Sequence, residues 1–211
     1  MSENKKSHPF GRAILSGLIL ASIGSICVGT VLYTQNITKP VIDSQIEHKM
    51  QSKIETLLPP NARGDNINYT CKIVSHKLIG NKMKLFIANS KNGIEGYILT
   101  YATSRGYSNP LVMIAGFDKD KNVYQADIQY SMETPGLGDK VMRKYGNFLD
   151  MLNGKNKENA KWDVKKFGGD FDFISGATVT SRAVVKATKD ALDALDSIDL
   201  NKLKPCPKGD L

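Results

Sequence analysis

DFISGATVTS, residues 172–181, gathers five oxygen-bearing side chains around the pair Gly176–Ala177. Apolar residues then recur every four positions over 183–195, which predicts an amphipathic helix. The hydroxyl groups therefore lie at a helix start, where unpaired N–H groups and the positive end of the helix dipole stabilise an anion such as phosphate. Spacing alone favours a simpler interpretation, in which Thr180 or Ser181 caps the helix and nothing is bound.

The composition is typical of a globular protein. The chain has 211 residues, 41% apolar and 24% charged, enough for about one domain with an extension. A net charge of +8 would suit a nucleic-acid partner, but no run of lysine and arginine exceeds two residues. We therefore expect a solvated basic surface and no nucleic-acid binding.

The cysteines indicate no metal centre. Cys27, Cys71 and Cys206 have none of the spacings of a zinc or iron–sulfur site. Cys27 lies in an apolar segment, which leaves two alternatives for Cys71 and Cys206. They form a disulfide in an oxidising compartment, or they remain buried free thiols.

An uncharged apolar segment, residues 13–33, would span roughly 30 Å as a helix, the thickness of a bilayer core. It exceeds the roughly 7 to 15 apolar residues of a signal peptide and lacks a following cleavage site, so it predicts a transmembrane helix. Lys5, Lys6 and Arg12 place residues 1–12 in the cytoplasm and the chain after Tyr33 outside it.

Residues 34–60 predict a helical, membrane-proximal segment. Thr38–Pro40 is typical of a helix start, and an apolar stripe follows until Pro59–Pro60 ends the helix. We assign this stripe to packing and expect no chemistry from it.

The remaining residues, 61–211, form an outer domain of α+β class, an antiparallel sheet with packed helices. Apolar spacing over 141–152 predicts a helix ended by Asn153–Gly154. Five apolar segments bounded by turn signals predict the strands of a meander: 71–79, 82–90, 96–104, 111–117 and 123–131.

A second irregular segment, ETPGLG at residues 133–138, contains a proline and two glycines. Its glycines let the backbone approach a flat ligand, or they merely form a tight turn. A nucleophilic Thr180 in a hydrolase would need a histidine base, and the isolated histidines of this chain carry no such motif. The sequence therefore does not favour a hydrolase, and we expect no catalytic residues.

The pattern Asp172-x-x-Ser175-Gly176-Ala177-Thr178-x-Thr180 resembles the covalent attachment motif of the FMN-binding domain family, whose last threonine forms a phosphoester with FMN. ETPGLG is also characteristic of that family. With GYSNPL at 106–111 and the segment 162–185, the chain is similar to the G-subunit family of the Rnf (Rsx) ion-translocating electron-transport complex.

The resemblance implies a bacterial inner-membrane electron carrier with a periplasmic flavin domain, other complex subunits as partners and no catalysis of its own. A separate flavin transferase would take FMN from FAD and esterify Thr180, with Thr178 as the nearest alternative. Thr178 and Ser181 would donate hydroxyl hydrogen bonds to the phosphate, while Glu133 and Asp172 would position donors or lie at the surface. The expected cofactor-binding residues are Thr180, Ser175, Gly176, Ala177, Thr178, Ser181, Glu133, Thr134, Gly136, Leu137 and Gly138.

Two alternatives stay open. The C subunit of the sodium-translocating NADH:quinone reductase shares both motifs, but such subunits are usually longer than 211 residues. The other alternative is a membrane-anchored binding module without a cofactor, in which Thr180 is only a helix cap.

Overall fold

The computed structural model of the chain describes residues 9–108 and 110–207. Two compact units divide between Lys49 and Met50. The predicted cytoplasmic residues 1–8, with Lys5 and Lys6, lie outside the described residues, as do Asn109 of GYSNPL and residues 208–211.

The N-terminal unit is helical. Helix α1 spans Pro9–Leu57, and its segment Ile14–Lys39 is long and apolar enough to cross a membrane. The side chains described over this segment are exposed, as expected of a helix whose surroundings are lipid rather than protein. The apolar helix predicted over 13–33 is thus confirmed.

The helix start predicted at Thr38–Pro40 is wrong, because α1 runs through these residues without a break. Proline lacks an N–H and removes one backbone hydrogen bond from a helix interior, but it does not by itself end a helix. The uncharged segment before it is already helical, so Pro40 does not mark a start here. The end was predicted correctly, since α1 stops at Leu57 and a short 3-10 turn follows at Pro60–Ala62.

The second unit is built on an antiparallel meander, which confirms the predicted α+β class. A short sixth strand pairs with the first, so the order across the sheet is β5-β4-β3-β2-β1-β6. The strands are β1 (Asn68–His76), β2 (Gly80–Ser90), β3 (Gly93–Thr103), β4 (Leu111–Asp118), β5 (Val123–Ser131) and β6 (Lys204–Pro205).

The helix predicted over 141–152 is wrong. Three 3-10 helices occupy this part of the chain, at Gly138–Val141, Arg143–Tyr145 and Phe148–Leu152. Gly146 adopts φ 156° and ψ −165°, a conformation that interrupts any helix. The apolar spacing instead reflects burial, since Val141, Leu149 and Leu152 are fully buried under the sheet.

The sheet has an apolar core on each face, because alternate residues of a strand point to opposite sides. One face packs against the 3-10 helices and helix α2 (Thr178–Ser197), and it includes Leu85 and Ile87. The opposite face includes Phe86 and Ala88.

Helix α2 is fixed to the sheet by a buried polar contact as well as by apolar packing. The hydroxyls of Tyr101 on β3 and Thr188 on α2 lie 3.0 Å apart, and both residues are fully buried. Burial raises the pKa of the Tyr101 phenol well above its usual range, so the phenol stays neutral and can share this hydrogen bond.

The other face contacts Leu57, the last residue of α1, and Leu58, which follows it. A Cβ added to Gly116 would lie 1.6 Å from the Leu57 carbonyl oxygen, and one added to Gly96 would lie 3.1 Å from Leu58 Cδ2. Glycine at these two strand positions allows residues 57 and 58 to pack directly on the sheet.

Cys71 on β1 and Cys206 after β6 form a disulfide with a Cα–Cα distance of 5.4 Å. Of the two sequence-based alternatives, the structure therefore shows the disulfide. The bond closes a loop with a sequence separation of 135 residues, which restricts the unfolded chain strongly. It ties the C-terminal strand to the edge of the sheet.

Substitution Cys206→Ser should lower the free energy of unfolding by about 2 to 4 kcal/mol, because it releases this loop in the unfolded state. Guanidinium unfolding of the full chain in detergent under non-reducing conditions measures the change. Cys27→Ser is the matched control, since Cys27 is a free cysteine, and it should leave the unfolding midpoint unchanged. Equal midpoints for both variants would contradict the prediction.

Candidate cofactor site

The N-terminus of α2 is open. Ala177 holds the N-cap position and no side chain accepts a hydrogen bond there, so neither Thr180 nor Ser181 caps the helix. The first described i−4 bond of the helix runs from Ser181 N to the Ala177 carbonyl. The N–H groups of residues 178–180 precede that bond and form the positive end of the helix dipole.

Ser181 has a structural role at this helix start. Its Oγ accepts a hydrogen bond from Ile174 N at 3.0 Å and donates one to the Ala177 carbonyl at 2.9 Å. The side chain is fully buried. Ser181 therefore fixes the loop before α2 against the first turn of the helix.

Thr180 is buried as well, but its hydroxyl contacts a charged group. Thr180 Oγ1 donates a 2.7 Å hydrogen bond to Glu133 Oε2, and only 1% of Thr180 and 7% of Glu133 are exposed. The second carboxylate oxygen, Glu133 Oε1, accepts a 3.2 Å hydrogen bond from Ser108 N. One carboxylate thus joins three chain segments: the β3–β4 loop, the ETPGLG segment and the start of α2.

Gly138 makes this arrangement sterically possible. A Cβ at this position would lie 2.5 Å from Glu133 Oε2 and 3.1 Å from Thr180 Oγ1. A contact of 2.5 Å does not occur in folded proteins, so any side chain at position 138 would displace the Glu133 carboxylate from Thr180. Gly138 thus lets the ETPGLG segment pack closely on the Thr180–Glu133 pair.

A cavity of about 690 Å³ opens beside Thr180. Eight of the eleven residues predicted to bind the cofactor line it: Glu133, Thr134, Leu137, Gly138, Gly176, Ala177, Thr178 and Thr180. Ser175 and Gly136 are exposed and do not line the cavity, and Ser181 faces away from it into the loop contacts described above. Asp172 also lies apart, with 72% of its side chain exposed and an ion pair to Lys165.

Three further residues line the cavity and were not identified from the sequence: Tyr107, Lys166 and Val179. Tyr107 lies within the GYSNPL segment and Lys166 within residues 162–185, so both belong to segments that carry the family resemblance. Neither has a local pattern that indicates a ligand contact. Lys166 supplies the one cation among the described lining residues.

An ion-pair cluster connects α2 to the residues just before the short 3-10 helix Lys165–Phe167, which contains Lys166. Asp163 accepts two 2.8 Å hydrogen bonds from Arg182 and contacts Lys186 Nζ at 3.0 Å. Hydrogen bonding to Arg182 is the main reason that the pKa of Asp163 lies well below its usual range. The Arg182 guanidinium also stacks 4.3 Å from the centroid of the Phe167 ring.

The lining residues fit a flat, phosphate-bearing ligand. The volume lies within the range of about 300 to 1,000 Å³ that is usual for small-molecule sites. An open helix N-terminus and Lys166 provide positive charge for a phosphate, while Leu137, Val179 and Tyr107 provide apolar surface. The described residues contain no group of three histidine, cysteine, aspartate or glutamate side chains suited to a metal ion.

Comparison with known proteins places the site within a recognised domain. A family profile described as FMN-binding domain matches residues 106–193, which include every residue lining the cavity. The G subunit of an ion-translocating oxidoreductase complex from Salmonella typhimurium is 32% identical over 179 residues, 83% of this chain and 87% of the relative.

Two further relatives carry the same printed name. The protein from Erwinia tasmaniensis is 34% identical over 180 residues, covering 82% of this chain and 85% of its own length. The protein from Photorhabdus laumondii is 29% identical over 197 residues, covering 90% of this chain and 94% of its own length. The similarity thus extends well beyond the matched domain.

Substitution Asp163→Asn should destabilise the domain by about 1 kcal/mol at pH 7, because it weakens charge-assisted hydrogen bonds to the partly exposed Arg182. A lowered native pKa means that this stabilisation is fully present above the unfolded pKa of about 3.9 and is lost as the pH falls below it. The difference between the two proteins should therefore shrink below about pH 4. Denaturant unfolding at several pH values measures it.

Asp172→Asn is the control, since its ion pair with Lys165 is exposed and should contribute at most about 0.5 kcal/mol. An Asp163→Asn effect that stayed constant down to pH 3 would contradict the assignment.

Proposed function

This chain belongs to the G-subunit family of ion-translocating oxidoreductase complexes and is an electron-carrying flavoprotein, and we propose that its FMN is bound covalently through a phosphoester to Thr180. The observation that carries this proposal is the position of the Thr180 hydroxyl. It lies in the wall of the cavity, at an open helix N-terminus, and within the matched FMN-binding domain.

The residues around Thr180 divide into two groups by chemistry. The N–H groups at the start of α2 and the Lys166 ammonium would stabilise a phosphate. Leu137 and Val179 are about half exposed, at 49% and 52%, and would contact the flavin ring. When bound, FMN supplies the capacity to accept and release electrons, and the protein fixes its position and surroundings.

Covalent attachment suits an electron carrier. The cavity is open to solvent on the side of the exposed Leu137, Val179 and Tyr107, which are about half or more exposed. A covalent bond retains the flavin in both redox states without requiring a closed, high-affinity pocket. A separate flavin transferase would form the bond from FAD, and other subunits of the complex would exchange electrons with the carrier.

We also propose that the chain crosses the bacterial inner membrane once, with the flavin domain on the periplasmic side. Two observations support this orientation. Lys5, Lys6 and Arg12 precede the apolar helix, and cytoplasmic flanks are enriched in such cations. The Cys71–Cys206 disulfide is of a kind that persists in oxidising compartments such as the periplasm.

Between the two related families, the G subunit is favoured over the C subunit of the sodium-translocating NADH:quinone reductase. The G-subunit relatives from Salmonella typhimurium and Erwinia tasmaniensis align over 87% and 85% of their own lengths. No large additional segment therefore separates this chain from them.

Substitution Thr180→Val should abolish covalent flavin, because the valine methyl group cannot form a phosphoester. The full chain is coexpressed with a flavin transferase, and peptide mass spectrometry searches for FMN less one water on the peptide that contains residue 180. Thr180→Ser should retain the modification, and Thr178→Val is the matched control from the same cavity wall. Flavin that survives Thr180→Val but is lost in Thr178→Val would move the attachment to Thr178.

A membrane-impermeant maleimide should label Lys91→Cys in spheroplasts and Ser2→Cys only after lysis, both in a Cys27→Ser background. Lys91 lies in the exposed turn between β2 and β3, and the proposed orientation places it in the periplasm. The opposite labelling pattern would reverse the proposed orientation.

A further inference from the structure

The bond from Thr180 to Glu133 has a consequence for ester formation. Thr180 Oγ1 carries a proton that it donates to Glu133 Oε2 at 2.7 Å. An oxygen that is esterified to phosphorus has no proton left to donate. The carboxylate of Glu133 would then lose its hydroxyl donor while remaining buried.

Attachment would also place a second negative charge beside the buried Glu133 carboxylate. A phosphate diester carries one negative charge, and a buried carboxylate carries another. Like charges repel each other strongly in a poorly solvated site. Among the described residues that line the cavity, Glu133 is the only acid and Lys166 the only cation.

We propose that Glu133 accepts the proton of Thr180 during flavin attachment and retains it afterwards, an inference that rests on the proposed attachment at Thr180. The buried site then holds a single negative charge throughout. That charge lies on the Glu133 carboxylate before attachment and on the phosphate diester after it.

The step balances without any oxidant or reductant. The reaction forms a bond between Thr180 Oγ1 and the phosphorus of the flavin half of a flavin dinucleotide. The bond from that phosphorus to the bridging oxygen of the pyrophosphate breaks, and a nucleoside monophosphate leaves with the electron pair. The proton of Thr180 Oγ1 passes to Glu133 Oε2.

Two features of the structure position the Glu133 carboxylate to accept this proton. Ser108 N donates to Oε1 at 3.2 Å, which leaves Oε2 directed at Thr180. Gly138 provides the space in which the carboxylate and the hydroxyl meet, since a Cβ there would lie 2.5 Å from Oε2. A general base must lie within hydrogen-bond distance of the proton it removes, and this pair meets that requirement before any ligand arrives.

The test uses Glu133→Gln in the full chain, incubated with purified flavin transferase and FAD, with intact-mass spectrometry following FMN addition over time. Glutamine is close in size to glutamate but cannot take the proton. The initial rate of attachment should fall at least 100-fold, the lower end of about 10²- to 10⁴-fold for loss of a general base. A rate within threefold of the wild-type rate would overturn the proposal.

Glu95→Gln is the matched control. Ser90 Oγ donates to Glu95 Oε1 at 2.7 Å, so this turn of the sheet contains the same kind of hydroxyl–carboxylate pair. The attachment rate of this variant should stay within twofold of the wild-type rate.

Glu133→Asp separates proton transfer from packing, because aspartate changes the shape of the side chain but keeps the carboxylate. It should attach flavin at least tenfold faster than Glu133→Gln, even where both variants are equally destabilised. Equal rates for the two variants would overturn the proposal, since shape alone would then explain the loss.

Infrared spectroscopy locates the proton directly. Loading the wild-type chain should produce the carbonyl band of a protonated carboxyl group, and this band should be missing in Glu133→Gln loaded to completion. Absence of the band in the loaded wild type would overturn the proposal.

Peptide mapping of the wild type distinguishes failure of the proposed attachment from failure of the proposed role of Glu133. Flavin on a residue other than Thr180 would refute both proposals. Flavin on Thr180 with rapid loading of Glu133→Gln would refute only the role of Glu133.

Discussion

The hydrogen bond between Thr180 and Glu133 organises the site because it connects the start of α2, which pairs with no strand, to the segment that follows β5. Leu111 at the start of β4 pairs with Ser131 at the end of β5, so the loop before β4 and the segment after β5 leave the sheet at the same end. Helix α2 is fixed to the sheet through Tyr101 and Thr188. Thr180 in its first turn contacts Glu133, which follows β5. The carboxylate of Glu133 contacts all three segments, and the absence of a side chain at Gly138 permits it.

The regular parts of the fold follow from periodicity in the sequence. Apolar segments bounded by turn signals predicted the five strands of the meander to within a few residues, because each strand buries apolar side chains on both faces. The helix predicted over 141–152 was wrong because buried residues in successive 3-10 helices produce the same apolar spacing. The backbone conformation of Gly146 is also incompatible with a continuous helix. The helix start predicted at Thr38–Pro40 was wrong for a related reason. A local pattern typical of a helix start does not show whether the preceding residues are already helical, as they are here.

The site was predicted best where one local motif supplies several contacts. DFISGATVTS and ETPGLG contain nine of the eleven lining residues, and these motifs were selected by family resemblance rather than by periodicity. Lys166 and Tyr107 were missed because a short 3-10 helix, Lys165–Phe167, and the β3–β4 loop bring them to the cavity. The positions of such segments depend on tertiary contacts such as the Asp163–Arg182 ion pair. Ser181 illustrates the opposite error, since its hydroxyl, expected to contact a phosphate, fixes the local backbone instead.

The central claim is that Thr180 carries the flavin in the cavity between these two motifs. A crystal structure of the chain purified after coexpression with a flavin transferase tests it most directly. The account predicts continuous electron density from Thr180 Oγ1 through a phosphate at the start of α2 to a ring system against Leu137 and Val179. Density that joins the flavin to another residue, or a flavin bound outside this cavity, would contradict it.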